Sequence, residues 1–110
     1  MPDSETLHIA EIPYDSGQIQ YRYARYLSED GSRWIRHGLY QSYWQNGNLK
    51  SEGYYAHGSE TGHWSDYHEN GQMAACGQYV EGMQQGTWRF WDSEGNEEQS
   101  AEYRDGEEIA

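Results

Sequence analysis

The chain has 110 residues and a formal net charge of −12, from 7 Lys+Arg against 19 Asp+Glu. A chain of this length has room for one core, and its charge argues against a nucleic acid or an anionic membrane as partner, since both demand Lys/Arg patches. No apolar stretch is long enough to span a bilayer, and Cys76, the single cysteine, rules out an internal disulfide and a Cys-based zinc site. No apolar segment follows the acidic start Met1-Pro2-Asp3-Ser4-Glu5, so no secretory signal is expected and a cytoplasmic location is. Leu, Ile, Val and Phe total only 11 residues, which at this charge normally reads as disorder, yet there are 5 Trp and 11 Tyr. The core is therefore expected to be aromatic, and strands are favoured over helices because Tyr and Trp suit strands while 13 Gly weaken helices.

In chain order, residues 1–37 follow no period. Tyr21-Arg22-Tyr23-Ala24-Arg25-Tyr26 reads as a strand between the turn signals Ser16-Gly17 and Asp30-Gly31. This stretch is expected to be a degenerate first unit or cap, partly disordered over residues 1–13. From residue 38 a 24-residue repeat begins: Gly38, Gly62 and Gly86 open three copies, 38–61, 62–85 and 86–109. Gly53, Gly77 and Ala101 align, as do Tyr55, Tyr79 and Tyr103, and then Gly58, Gly82 and Gly106. Each copy reads as two strands, Gly62–His68 and Gln72–Val80 in the middle copy. Asn70-Gly71, like Asn46-Gly47, predicts a two-residue type I′ hairpin, and Glu94-Gly95 is a weaker version. Residues 38–109 thus predict six short strands in one antiparallel meander.

The columns predict the packing. Tyr40, Trp64 and Trp88 have one parity along the first strand, and Tyr43, Tyr67 and Trp91 the other, which puts rings on both faces. Gly53, Gly77 and Ala101 leave bare backbone on which an indole from the adjacent strand would lie. One unit cannot bury its own rings, whereas three in a row can.

The run from Tyr43-Trp44-Gln45-Asn46-Gly47 through Leu49, Gly53-Tyr54-Tyr55 and Gly58 to Gly62-His63-Trp64 resembles the MORN-repeat variant. Copy three departs from the pattern, with Glu94 for Asn and Glu97 for the apolar residue. The resemblance covers about two thirds of the chain and implies hairpins laid side by side in a twisted antiparallel sheet. It also implies function more loosely: bacterial proteins of this kind are commonly antitoxins of the YwqK-like kind or immunity proteins, other MORN proteins are scaffolds or contact lipids, and no catalytic residues carry over.

Reactive chemistry finds little support. His63 and His68 have opposite parity on one strand and cannot share a metal, although His57 in the preceding loop could approach His63. Cys76 aligns with the polar residues Glu52 and Ser100 and has no activating neighbour in the sequence. No metal, no cofactor and no enzymatic activity are expected.

The carboxylates are more informative, because residues 81–110 hold nine of them against Arg89 and Arg104. Solubility and edge protection account for such a bias, and so does docking to a basic partner. Interface anchors are typically Tyr, Trp and Arg inside a charged rim. The candidate partner-binding residues are therefore Trp44, Asp66, Tyr67, Glu69, Trp91, Asp92, Glu94, Glu98 and Glu102. The expected function is a monomeric, non-enzymatic antitoxin or immunity protein that occludes a basic protein toxin, for example a nuclease. The alternatives are a choline- or glycan-binding module and a scaffold that assembles through open sheet edges.

Overall fold

A computed structural model describes residues 6–109. They form nine strands: β1 His8–Pro13, β2 Ile19–Leu27, β3 Trp34–Tyr43, β4 Leu49–Ala56, β5 Ser59–Tyr67, β6 Met73–Val80, β7 Met83–Phe90, β8 Ala101–Arg104 and β9 Glu107–Ile109. Their order in space is their order in the chain. Every neighbouring pair is antiparallel. The body measures 46 × 37 × 19 Å, one side-chain-clad layer thick. The expected all-β meander of hairpins is the observed architecture. No helix among the described residues is long and apolar enough to cross a membrane.

The first hairpin, β1–β2, has the loop geometry of the later units. Within the stretch expected to be partly disordered, His8–Pro13 is a strand; residues 1–5 lie outside the described residues. The turn at Tyr14–Gln18 is closed by the same two backbone hydrogen bonds as those at Trp44–Asn48, His68–Gln72 and Asp92–Asn96. The first unit breaks the 24-residue period because the six-residue loop 28–33 separates the closing pair Leu27–Trp34.

Turn chemistry differs from expectation. The Asn-Gly turns are not two-residue type I′ hairpins. In His68-Glu69-Asn70-Gly71 only the glycine has positive φ, at 92°, and His68 N–H donates to the Gln72 carbonyl. This is a three-residue loop in which a tight turn is followed by a left-handed glycine. Asn70 accepts from the Gln72 amide through its side chain, which needs no left-handed asparagine. The two-residue turns with both residues at positive φ lie at the opposite rim: His57-Gly58, Glu81-Gly82 and Asp105-Gly106.

The core is a ladder of rings on one face. Tyr23, Tyr40, Tyr55, Trp64, Tyr79, Trp88 and Tyr103 follow one another with centroids 5.2–6.4 Å apart, mostly edge to face. Edge-to-face contact suits the ring quadrupoles. Trp64 and Trp88 are 7% and 3% exposed, the most buried rings of the molecule. Each lies over a glycine, as the repeat columns predict: a Cβ on Gly53 would overlap the Trp64 indole, and one on Gly77 the Trp88 indole. In the first unit the large and small positions are exchanged, with Ala10 paired to Tyr23 where later units pair Tyr40 with Gly53 and Trp64 with Gly77.

Candidate functional site

The reverse face carries a polar network over its first four strands. Glu11 accepts from Arg22 Nε at 2.7 Å, Arg22 reaches the Tyr43 hydroxyl, that hydroxyl donates to Gln41, and Gln41 donates to Glu52 at 2.7 Å. Beside it Leu39, Glu52, Gly53, Tyr54, His63 and Ser65 line an open cleft of about 320 Å³. Cys76, half-buried, continues this row between Ser65 and Arg89.

The candidate docking residues fall into three groups. Trp44, Tyr67 and Trp91 are half-buried, and the Trp44 indole and the Tyr67 and Trp91 carbonyls take part in bonds between units. The Trp44 indole N–H donates to the Tyr67 carbonyl at 3.0 Å, and Lys50 Nζ lies 4.6 Å from its ring centre. His68 Nε2 meets the Trp91 carbonyl at 2.8 Å, so that nitrogen carries the proton. The Arg89 guanidinium covers the Trp91 ring at 5.0 Å. Tyr14 makes the corresponding bond to the Tyr43 carbonyl at 2.7 Å.

Asp92 belongs to the loop it begins. Its Oδ1 accepts from the Glu94 and Asn96 amides, each at 2.9 Å. The Asn96 amide, opposed in part by desolvation, is the main reason its carboxyl is held below the usual range. Asp66 lies two residues from Trp64 on β5, hence on the ring-ladder face, and accepts from Ser51 Oγ at 2.7 Å. It does not share a surface with the turn at Glu69.

The remaining carboxylates are exposed. Glu69 and Glu94 sit on successive turns of one rim, Glu98 follows the last of these turns, and Glu102 accepts from Thr87 Oγ1. The Glu69 carbonyl, not its side chain, ties this rim to the previous turn by accepting from Asn46 and Asn48. Among the described residues only two ion pairs form, Arg22–Glu11 and Arg89–Glu97. Residues 51–109 hold 13 carboxylates and two arginines, whereas 6–50 hold four carboxylates and five Lys/Arg. Charge therefore runs along the strand order, from near neutral at β1 to strongly acidic at β9.

Two groups that sequence reasoning passed over, Arg36 and Glu60, stand out on the ladder face. The Arg36 guanidinium lies 4.7, 5.5 and 5.4 Å from the rings of Tyr23, Tyr40 and Tyr55. Glu60, one period on, replaces that cation with an anion. The Tyr79 hydroxyl is pushed above its ordinary pKa by burial, then by Glu60 and Asp66. The 24-residue register holds the signal, because 36, 60 and 84 form a column of Arg, Glu and Gln. His57, which from its loop could have approached His63, lies against His37 with ring centres 4.5 Å apart.

A single-layer antiparallel sheet built from repeated hairpins defines a repeat-type binding module. The family model described as the MORN repeat variant matches residues 36–57 and 60–81. These segments contain all of β4 and β6, all but the first two residues of β3 and all but Ser59 of β5; both carry an Asn-Gly turn, with Gly38-Leu39-Tyr40 in the first at the place of Gly62-His63-Trp64 in the second. No curated protein and no solved structure matches the chain.

Proposed function

We propose that the chain is a non-enzymatic protein-binding module acting as an antitoxin or immunity protein, which occludes a basic toxin with its acidic C-terminal half. The polarised charge carries this reading: 13 carboxylates stand against two arginines across residues 51–109, and one of those arginines is already paired with Glu97. A field of this kind accelerates encounter with a basic protein and rejects acidic ones. Occlusion is steric and electrostatic and needs no reacting group. Glu69, Glu94 and Glu98 are the residues to test, because Asp92 is engaged in its own loop.

The experiment is capture of a basic protein by the tagged chain at low salt, followed by a toxicity assay with and without the chain. Glu94→Gln with Glu98→Gln should slow association roughly tenfold and flatten its salt dependence. An unchanged association rate, or a partner whose toxicity the chain does not suppress, overturns the reading.

Assembly of copies through sheet edges is the second reading. Among the described residues β1 pairs on one side only, and its Ile9 and Ile12 are 62% and 42% exposed. Such an edge is a template for another strand. Light scattering that shows mass rising with concentration would favour it, and a constant monomer mass would remove it.

A further inference from the structure

The two ends of the sheet are finished differently. At each three-residue loop the first residue donates forward, to the carbonyl that precedes the next such loop: Tyr14 to Tyr43, Trp44 to Tyr67 and His68 to Trp91. This column ends at Asp92, an anion that has no donor to offer and accepts within its own loop. Asn46 and Asn70 bridge forward in the same way, and their column ends at Glu94. Beyond them β9 is three residues long and carries Glu107 and Glu108, the kind of short charged strand that guards an edge. The β1 end has no such guard. Pro13 stands where Tyr43, Tyr67 and Trp91 stand, and its carbonyl has no donor among the described residues. Tyr14 N–H donates to the Gln18 carbonyl, on the side of β2. Backbone groups alternate sides along a strand, so Ile12, Ala10 and His8 face β2, whereas Ile9, Glu11 and Pro13 face outward. Ile9 and Ile12 are 62% and 42% exposed, and Glu11, the one carboxylate of β1, is neutralised by Arg22 at 2.7 Å.

We propose that β1 pairs with β1 of a second copy of this chain, across a twofold axis at Ala10, to make a closed dimer. Strand direction selects this contact. In a nine-stranded antiparallel meander β1 and β9 run the same way. A copy stacked head to tail, with its ring ladder on the same face, would pair β9 with β1 in parallel, unlike every pair within the chain. A twofold axis perpendicular to the sheet pairs β1 with β1 antiparallel and keeps both ladders on one face. Charge selects it too, because the near-neutral ends meet and the acidic halves lie farthest apart. With the axis at Ala10, the outward groups of Ile9 bond those of Glu11 in the other copy, twice over by symmetry. Leu7 N–H reaches the Pro13 carbonyl, so the proline, which lacks an N–H, falls where only its acceptor is used. An axis at Glu11 would instead set two carboxylates directly opposite each other, which is destabilising. The proposal rests on the reading of the chain as one that assembles through sheet edges, and it stops that assembly at two.

The test is sedimentation of the whole chain over a concentration series, with variants at both edges. The parent chain should pass from one copy to two and stop. Ile9→Pro removes an outward N–H and no bond to β2, so two hydrogen bonds are lost per dimer and the dissociation constant should rise about tenfold or more. Glu108→Pro, at the opposite edge, should leave that constant unchanged. In a Cys76→Ser background, Ala10→Cys should oxidise to a covalent dimer faster than Ile12→Cys, because only residue 10 meets itself across the axis. A constant monomer mass overturns the proposal together with the edge-assembly reading. Mass that climbs past two copies, a dimer indifferent to Ile9→Pro, or equal cross-linking at positions 10 and 12 overturns the closed β1 pair while edge assembly stands. Protection of the β1 amides from hydrogen exchange by residues 1–5 in a monomer, or by a captured basic protein in place of a second copy, overturns it as well.

Discussion

Gly53 and Gly77 are occupied by their neighbours. A methyl group at either would overlap an indole that is itself hydrogen-bonded, Trp64 to the Tyr54 carbonyl and Trp88 to the Gln78 carbonyl. Gly53→Ala should therefore cost about 1–3 kcal/mol, the usual range for overpacking, although alanine by itself is the better residue in a strand. Urea midpoints read the effect, and Trp64→Leu should shrink the cost of the alanine if overlap is its cause. At the other end of the exposure scale, Asp30 accepts from Ser28 Oγ, Ser32 Oγ and the Ser32 amide. The Ser32 bonds are the leading reason its carboxyl falls to about 2 from 3.8. Because the folded value is the lower one, this contribution to stability is present above about pH 4 and disappears as pH falls toward 2. The Ser32 amide resonance should titrate in that window in the parent chain and not in Asp30→Ala. The glycine–indole pairs were legible in the sequence because both members recur at one spacing. The roles of Trp44 and Asp92 were not, since their partners, the Tyr67 carbonyl and the Asn96 amide, are backbone groups that leave no mark in composition.

At the scale of the element, the turns divide the sheet into two unlike rims. One rim carries three-residue loops whose asparagines bridge forward, Asn46 to the Glu69 carbonyl and Asn70 to the Ser93 carbonyl, both within 2.9 Å. The other carries two-residue turns whose first positions are His57, Glu81 and Asp105, all at positive φ. Ordinary L side chains there cost roughly 1–2 kcal/mol, and asparagine less. Glu81→Asn should thus raise the denaturation midpoint, and Glu81→Val should lower it. The sequence reading placed the type I′ turns on the wrong rim because Asn-Gly is their common signature, while His-Gly and Glu-Gly are not. It missed that an asparagine side chain accepting from the residue two ahead stabilises the longer loop equally well. The strand count differed for a related reason: β9 follows the Asp105-Gly106 turn and adds a seventh strand to the six expected from residue 38 onward. Bulges at Gly38, Gly62 and Gly86, with φ between 72° and 109°, allow the sheet to coil without losing its period.

Across the whole molecule, electrostatics oppose the fold. A net charge of −12 with two ion pairs among the described residues means that most carboxylates repel one another. Raising sodium chloride from about 20 to 200 mM shortens the Debye length from over 20 Å to under 10 Å. The thermal midpoint should therefore rise with salt, and a fall would show that the two exposed pairs outweigh the repulsion.

The agreement of spatial order with chain order has a mechanical consequence. Force applied between β1 and β9 acts across the strands, so backbone hydrogen bonds load one after another at an edge instead of all together. The sheet should peel like a strip of tape and not shear like a lap joint. Each 24-residue unit would release about 70–80 Å of chain. A force–extension trace should show several low steps of that size, whereas a single high rupture would mean that the ring ladder welds the units into one mechanical body.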